Sequence, residues 1–204
     1  MISDTYLTIA APARGLYKDK GSRFLAFAYP IYSESDVKPI VETLKTEYYD
    51  ARHHCYAWRL GIEASEGGVR FRANDDGEPA GSAGRPILGQ MLSRELTNLL
   101  VVVVRYFGGI KLGVPGLIAA YKDATADALA SADVVERTEN REIVVEFPYL
   151  VMNQVMKVVK DLEPKVIGQD FDLSCRMRLS VRLRDAEALT ERMMGIEGVN
   201  VSLS

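Results

Sequence analysis

Asn98–Leu117 reads NLLVVVVRYFGGIKLGVPGL, and its reading decides how the chain folds. Six apolar residues, Leu99–Val104, follow one another without a polar break. An alternating strand buries one face, whereas a strand without alternation is buried on both. The run therefore predicts the centre of a sheet that is covered on each side. It ends at Arg105, turns through Gly108, Gly109, Lys111 and Gly113, and gives way to a helix from Pro115 (PGLIAAYKDATADALASAD), whose alanines favour helix and permit close approach to a sheet. The glycines free the backbone to present N–H groups, and a helix N-terminus beside Lys111 and Arg105 attracts an anion. Gly108, Gly109, Lys111, Gly113 and Gly116 form the candidate anion cradle. The plainer alternative is that the glycines only turn a strand into a helix. Neither familiar nucleotide signature is present: GxGxxG is missing, and Val114 stands where a Walker A frame on Gly108 and Gly113 needs lysine.

Upstream, TYLTIAAPA and SRFLAFAYPI read as strands, as do HHCYAWRLGI and GVRFRA. DVKPIVETLKTEY reads as a helix, with Val37, Ile40, Val41, Leu44 and Tyr48 at helical spacing, Asp36 as N-cap and Pro39 in the first turn. NDDGEPAGSAGRP is a long loop for a compact domain, which itself points to function, and ILGQMLSREL resumes a helix. A polar shift at Val134–Asn140 marks a boundary near Arg137. Beyond it the elements run β-α-β-β-α-β, a ferredoxin-like split βαβ pattern. The expected fold class is α+β, with domains at 1–137 and 138–204.

A chain of 204 residues is long enough for a real core. A net charge of −3 gives no general attraction to nucleic acid or anionic lipid, so any anion site must be local. Cys55 and Cys175 make neither a disulfide framework nor a CxxC metal pair, which suits a reducing cytosol. The first residues lack the pattern of a signal peptide, and no apolar stretch reaches membrane-spanning length.

Three further constellations carry chemistry. Asp75, Asp76 and Glu78 are carboxylates within four residues, followed by Ser82. They offer oxygen ligands to a cation or a general base, against the plainer reading of a solvated turn. His53 and His54 are adjacent on a strand and point to opposite faces, so they do not ligate one metal together. Cys55 shares a face with His53, and two ligands are too few for a closed zinc site. Neither a metal site nor a cofactor is expected. In LSCRMRLSVRLR, Leu173, Cys175, Met177, Leu179, Val181 and Leu183 face inward, while Arg176, Arg178, Arg182 and Arg184 line the other face as an accessory basic track. Glu142 and Glu146 on the neighbouring strand are the pairing partners that would make that track ordinary surface.

KGSRF, HHCYAWRLG, DDGEPAGSAGRPIL and LTNLLVVVVRYFGGIKLGVPGL, in that order, resemble the IMPACT family, including its bacterial YigZ-like members, from about Lys20 to Ala130. The resemblance implies a first domain similar to the second domain of ribosomal protein S5. It implies a small C-terminal domain similar to the last domain of a translational elongation factor, and a cytoplasmic protein. Eukaryotic members are translation regulators that inhibit activation of a starvation-sensing kinase, using an extra N-terminal module that is missing from this sequence. Many members read KLGAGGLVRAY where this chain has KLGVPGLIAAY. Pro115 and Ala119 thus make the loop stiffer and less basic. Two functions are expected to compete. One is a translation-associated protein that binds RNA, the ribosome or another anionic partner. The other is an enzyme on a small anionic or nucleotide-like substrate, with His53, His54, Asp75, Asp76 and Glu78 as catalytic candidates and Arg105 as a structural clamp to one of these acids. An enclosed pocket favours the second, and a broad basic groove the first.

Overall fold

The computed structural model describes residues 3–65, 67–172 and 174–203. The chain divides into two compact units, Tyr6–Arg137 and Thr138–Ser204, the latter joined by the start of the chain up to Thr5. The sequence reading assigns 1–137 to the first domain; here Asp4 and Thr5 group with the second.

The strands that fall wholly or mostly in the larger unit are β1 (Thr5–Ile9), β2 (Ala13–Asp19), β3 (Ser22–Pro30), β4 (His53–Leu60), β5 (Arg70–Asn74), β6 (Leu99–Tyr106) and β7 (Val134–Thr138). The helices are α1 (Val37–Glu47), α2 (Gly84–Ser93) and α3 (Gly113–Ala130). A five-stranded antiparallel sheet has the order β2-β3-β6-β4-β5, and β1 pairs with β7 in a separate two-stranded sheet. The apolar run forms β6 at the sheet centre. Leu99, Val101 and Val103 pack on the side of α2 and α3, and Leu100, Val102 and Val104 on the side of α1. All six are fully buried, which is why no polar residue interrupts them.

Four details differ from the sequence reading. Ala13–Asp19 is an edge strand, although ARGLYKD has little strand character; α3 crosses it so closely that a Cβ on Gly15 would lie 2.2 Å from the Ala128 nitrogen. Asp36 does not act as a plain N-cap. Its carboxylate accepts from the Tyr32 and Ser33 N–H groups at 2.8 and 2.9 Å, as the return arm of a capping box on Ser33. The loop after β5 is shorter than expected, because Gly84, Arg85 and Pro86 already belong to α2. The polar stretch read as a boundary contains β7.

The smaller unit comprises β8 (Asn140–Pro148), α4 (Met152–Leu162), β9 (Lys165–Phe171), β10 (Ser174–Arg182), α5 (Ala186–Met194) and β11 (Asn200–Leu203). Its antiparallel sheet has the order β11-β8-β10-β9. Ile143, Val145, Phe147, Cys175, Met177, Leu179 and Val181 pack on Val155, Val158, Leu189 and Met193 of the helices, so both helices cover one sheet face. Both units are thus mixed α/β structures of sheets and helices.

Candidate functional site

The loop after β5 and the loop after β6 meet at one end of the first unit. Asp75 builds the first. Its Oδ1 accepts from the Ala83 and Gly84 N–H groups at 3.1 and 2.8 Å, and its Oδ2 from the Gly81 N–H at 2.7 Å. Burial pushes its pKa up, but these three N–H donors outweigh it and hold the carboxyl below the usual 3.8. Asp75 therefore caps the start of α2. Gly84 must lack a Cβ, which would stand 2.6 Å from the Asn74 nitrogen. Asp76, at φ +40°, ties the loop to β4: its carboxylate accepts from the His54 N–H at 2.7 Å, and its carbonyl lies 2.8 Å from His53 Nδ1. Ser82 is buried and donates to the Pro79 carbonyl at 2.6 Å. These three are turn-building residues, not convergent ligands.

Glu78 is the acid that reaches Arg105. Arg105 Nη1 donates to Glu78 Oε1 at 2.6 Å, and the Tyr121 hydroxyl donates to the same oxygen at 2.8 Å. The Arg105 and Glu78 side chains are 9% and 4% exposed, so the pair is a buried ion pair. Arg105 also lies over the rings of Phe24 and Phe107, 5.5 and 5.8 Å from their centroids. The Cys55 thiol donates to the Asp75 carbonyl at 3.0 Å and lies 3.3 Å from the Tyr121 oxygen. Burial pushes both the Cys55 and Tyr121 pKa values far up, so both stay protonated, and Cys55 is an unreactive thiol.

Glu78, Arg105 and Phe107 border a cavity of about 430 Å³ that is also lined by Arg52, His53, Pro79, Lys111, Leu112, Gly113, Val114 and Leu117. His53 is paired directly across the ladder with Arg105, so the two side chains share this face. A carbonyl only accepts, so His53 donates from Nδ1 to the Asp76 carbonyl, and in the neutral ring Nε2 is then the acceptor. The first turn of α3 opens here, and its N-cap, Leu112, supplies no side-chain cap bond.

The sequence candidates separate accordingly. Glu78, His53, Arg105, Lys111 and Gly113 meet at the cavity. His54 does not: it faces the other side of the sheet, is 5% exposed, and burial lowers its pKa, which keeps the ring neutral. Gly108 is a packing residue and leaves the cradle. Its N–H donates to Ser22 Oγ at 3.1 Å, and a Cβ would sit 1.9 Å from the Gly21 carbonyl carbon. Gly109, at φ +90°, forms the turn, and Gly116 lies inside α3; neither lines the cavity. Among the described residues no group of three or more His, Cys, Asp or Glu could hold a metal ion.

The basic face of the smaller unit is also redrawn. Arg176 and Arg178 lie on the outer face of β10, 3.5 and 3.7 Å from Glu146 and Glu142. Arg182 forks onto the Asp4 carboxylate at 2.8 and 3.1 Å. The strand ends at Arg182, so Leu183 and Arg184 fall in a 3₁₀ turn, and Arg184 leaves the sheet face to lie 3.5 Å from Asp185. Leu173 lies outside the described residues.

Sequence reasoning missed Arg52, Phe107 and Tyr121. Tyr121 had a signal: a large phenol within an alanine-rich buried helix needs a polar partner for its hydroxyl. Among the described residues no helix is long and apolar enough to cross a membrane.

Residues 20–129 match the Impact N-terminal domain. The chain is 32% identical over 178 residues to IMPACT family member YigZ of Escherichia coli K12, covering 87% of this chain and 86% of that one. It is 32% identical over 189 residues to IMPACT family member YvyE of Bacillus subtilis 168, covering 93% and 85%. Among solved structures, the crystal structure of a hypothetical protein superposes with a TM-score of 0.73 at 28% identity, over 98% of this chain and 97% of that one.

Proposed function

The chain belongs to the IMPACT family, and from that premise we propose that it is a cytoplasmic, translation-associated protein that captures an anionic partner in the cavity between the two loops. One observation carries the reading. In a chain of net charge −3, three cations, Arg52, Arg105 and Lys111, meet one carboxylate, Glu78, around a single concavity at an uncapped helix start. Translation enters from the family, whose eukaryotic members regulate it. The first unit is read as similar to the second domain of ribosomal protein S5. The second is read as ferredoxin-like and similar to an elongation-factor domain, with the βαββαβ order and antiparallel sheet in support. Its Arg176 and Arg178 serve as an accessory basic face, because exposed pairs with glutamates at 3.5 and 3.7 Å cost little to exchange for phosphates.

Co-sedimentation with ribosomes across a salt series tests this. The intact chain should associate with a negative salt slope, and Arg52→Ala with Lys111→Ala should weaken association and flatten the slope. Association unchanged by both substitutions would refute the role of the cavity. The cavity also favours a second reading, an enzyme on a small anion, because His53 Nε2 takes part in none of the described hydrogen bonds and in the neutral ring is a proton acceptor beside three cations.

A further inference from the structure

Arg105 has more donors than the protein gives it partners. Its Nη1 meets Glu78, but its buried Nε has no partner among the described residues, and none of the described hydrogen bonds involves Nη2. The residue is only 8% exposed, and it lines the cavity. Nε is sealed from a ligand in this conformation, so it is the open Nη2 of a nearly buried guanidinium whose desolvation cost a ligand can offset. Beside it stand Lys111 and Arg52, neither within ion-pair distance of a described carboxylate, and the N–H groups that open α3. Three cations less one carboxylate leave the cavity an excess of two positive charges.

We infer that the cavity takes a phosphate monoester that also bears a flat ring with apolar faces: a nucleotide, either free or as the phosphorylated end of an RNA strand. This deepens the anion-capture reading and rests on it. A phosphate monoester brings a charge of about −1.5 to −2 and three acceptor oxygens, which match the charge excess and the several directions of the donors. A carboxylate brings half that charge and two oxygens. The remaining wall is apolar, formed by Pro79, Phe107, Leu112, Val114 and Leu117. Phe107 is 54% exposed, and its ring offers an aromatic surface for stacking beside the Arg105 guanidinium. His53 Nε2 presents an acceptor to a sugar hydroxyl, and the volume suits one small ligand.

The test is titration calorimetry of the full chain at low salt with adenosine 5′-monophosphate, adenosine, inorganic phosphate, and a short RNA bearing a 5′-phosphate or a 5′-hydroxyl. At least one phosphate-ended probe should bind, about tenfold or more tighter than its unphosphorylated counterpart. Binding of the free monophosphate identifies a nucleotide site; binding of the phosphorylated RNA alone identifies a strand end. Lys111→Ala should weaken whichever probe binds. Phe107→Ala should weaken that probe while leaving inorganic phosphate unaffected. Both residues are exposed, so folding does not confuse the result. Equal binding with and without the phosphate, no binding of any phosphate-ended probe, or indifference to Lys111→Ala would overturn the inference. Ribosome association that depends on Arg52 and Lys111, with no phosphate probe bound, would sink this inference and leave the broader function standing.

Discussion

Arg105→Ala should be the most destabilising single change at the cavity, and its cost can be worked from the pair. The Glu78 side chain is 4% exposed and takes two described donors, the Arg105 guanidinium at 2.6 Å and the Tyr121 hydroxyl at 2.8 Å. Removing the guanidinium leaves a buried carboxylate with one neutral donor, which costs about 3–5 kcal/mol. That corresponds to a fall of roughly 6–20 °C in Tm for a chain of this size. Glu78→Gln alone strands the guanidinium and should cost a comparable amount. The combined variant Arg105→Ala with Glu78→Gln buries no charge, so it should cost less than the sum of the singles by about 2 kcal/mol or more. Urea unfolding of the two singles and the double measures this coupling. Additivity within about 0.5 kcal/mol would refute the claim that the two residues act as one buried pair.

Further outcomes follow from the surrounding scaffold. Asp75→Ala should cost about 1–2 kcal/mol by uncapping α2, read from denaturant melts. The folded-state pKa of Asp75 is depressed, so its contribution is present above the unfolded value near 3.8 and is lost as pH falls through the lower folded value; an acid titration of Asp75→Ala should lack that loss. Gly108→Ala should destabilise by about 1–3 kcal/mol or more, because its Cβ would collide with the Gly21–Ser22 backbone; an unchanged Tm would contradict the close approach. Arg182→Ala should destabilise the smaller unit, since it strips a fork from a nearly buried Asp4, whereas Arg178→Ala should stay within about 0.5 kcal/mol; thermal melts of the two variants compare them directly.

The centre of the fold was open to inspection because burial on both faces leaves a direct mark: Leu99–Val104 admits no polar residue. The edge strand β2 left no such mark. Its role depends on Gly15 letting α3 approach, and contact across more than a hundred residues has no local pattern. That Arg105 would seek one of the acids after β5 rested on a cost argument, since a charge at the core edge needs a partner. Which acid it would be had no such argument, since Asp75, Asp76 and Glu78 differ only in where the turn aims them. Gly108 and Gly109 look alike in sequence, yet one is fixed by a backbone contact and the other by a positive φ. The alternation of β10 was plain; that it stops at Arg182 was not, because LRLR continues the same pattern into a turn.

The most direct test of the central claim is a ¹⁵N-resolved NMR titration of the full chain with adenosine 5′-monophosphate or 5′-phosphorylated RNA. Capture at the cavity predicts saturable shifts at the amides of Lys111, Gly113 and Val114 and at the Arg105 Nε–H, fading with added salt and lost in Lys111→Ala. Shifts confined to Arg176 and Arg178 on the outer face of β10, or no saturable shift at the start of α3, would contradict it.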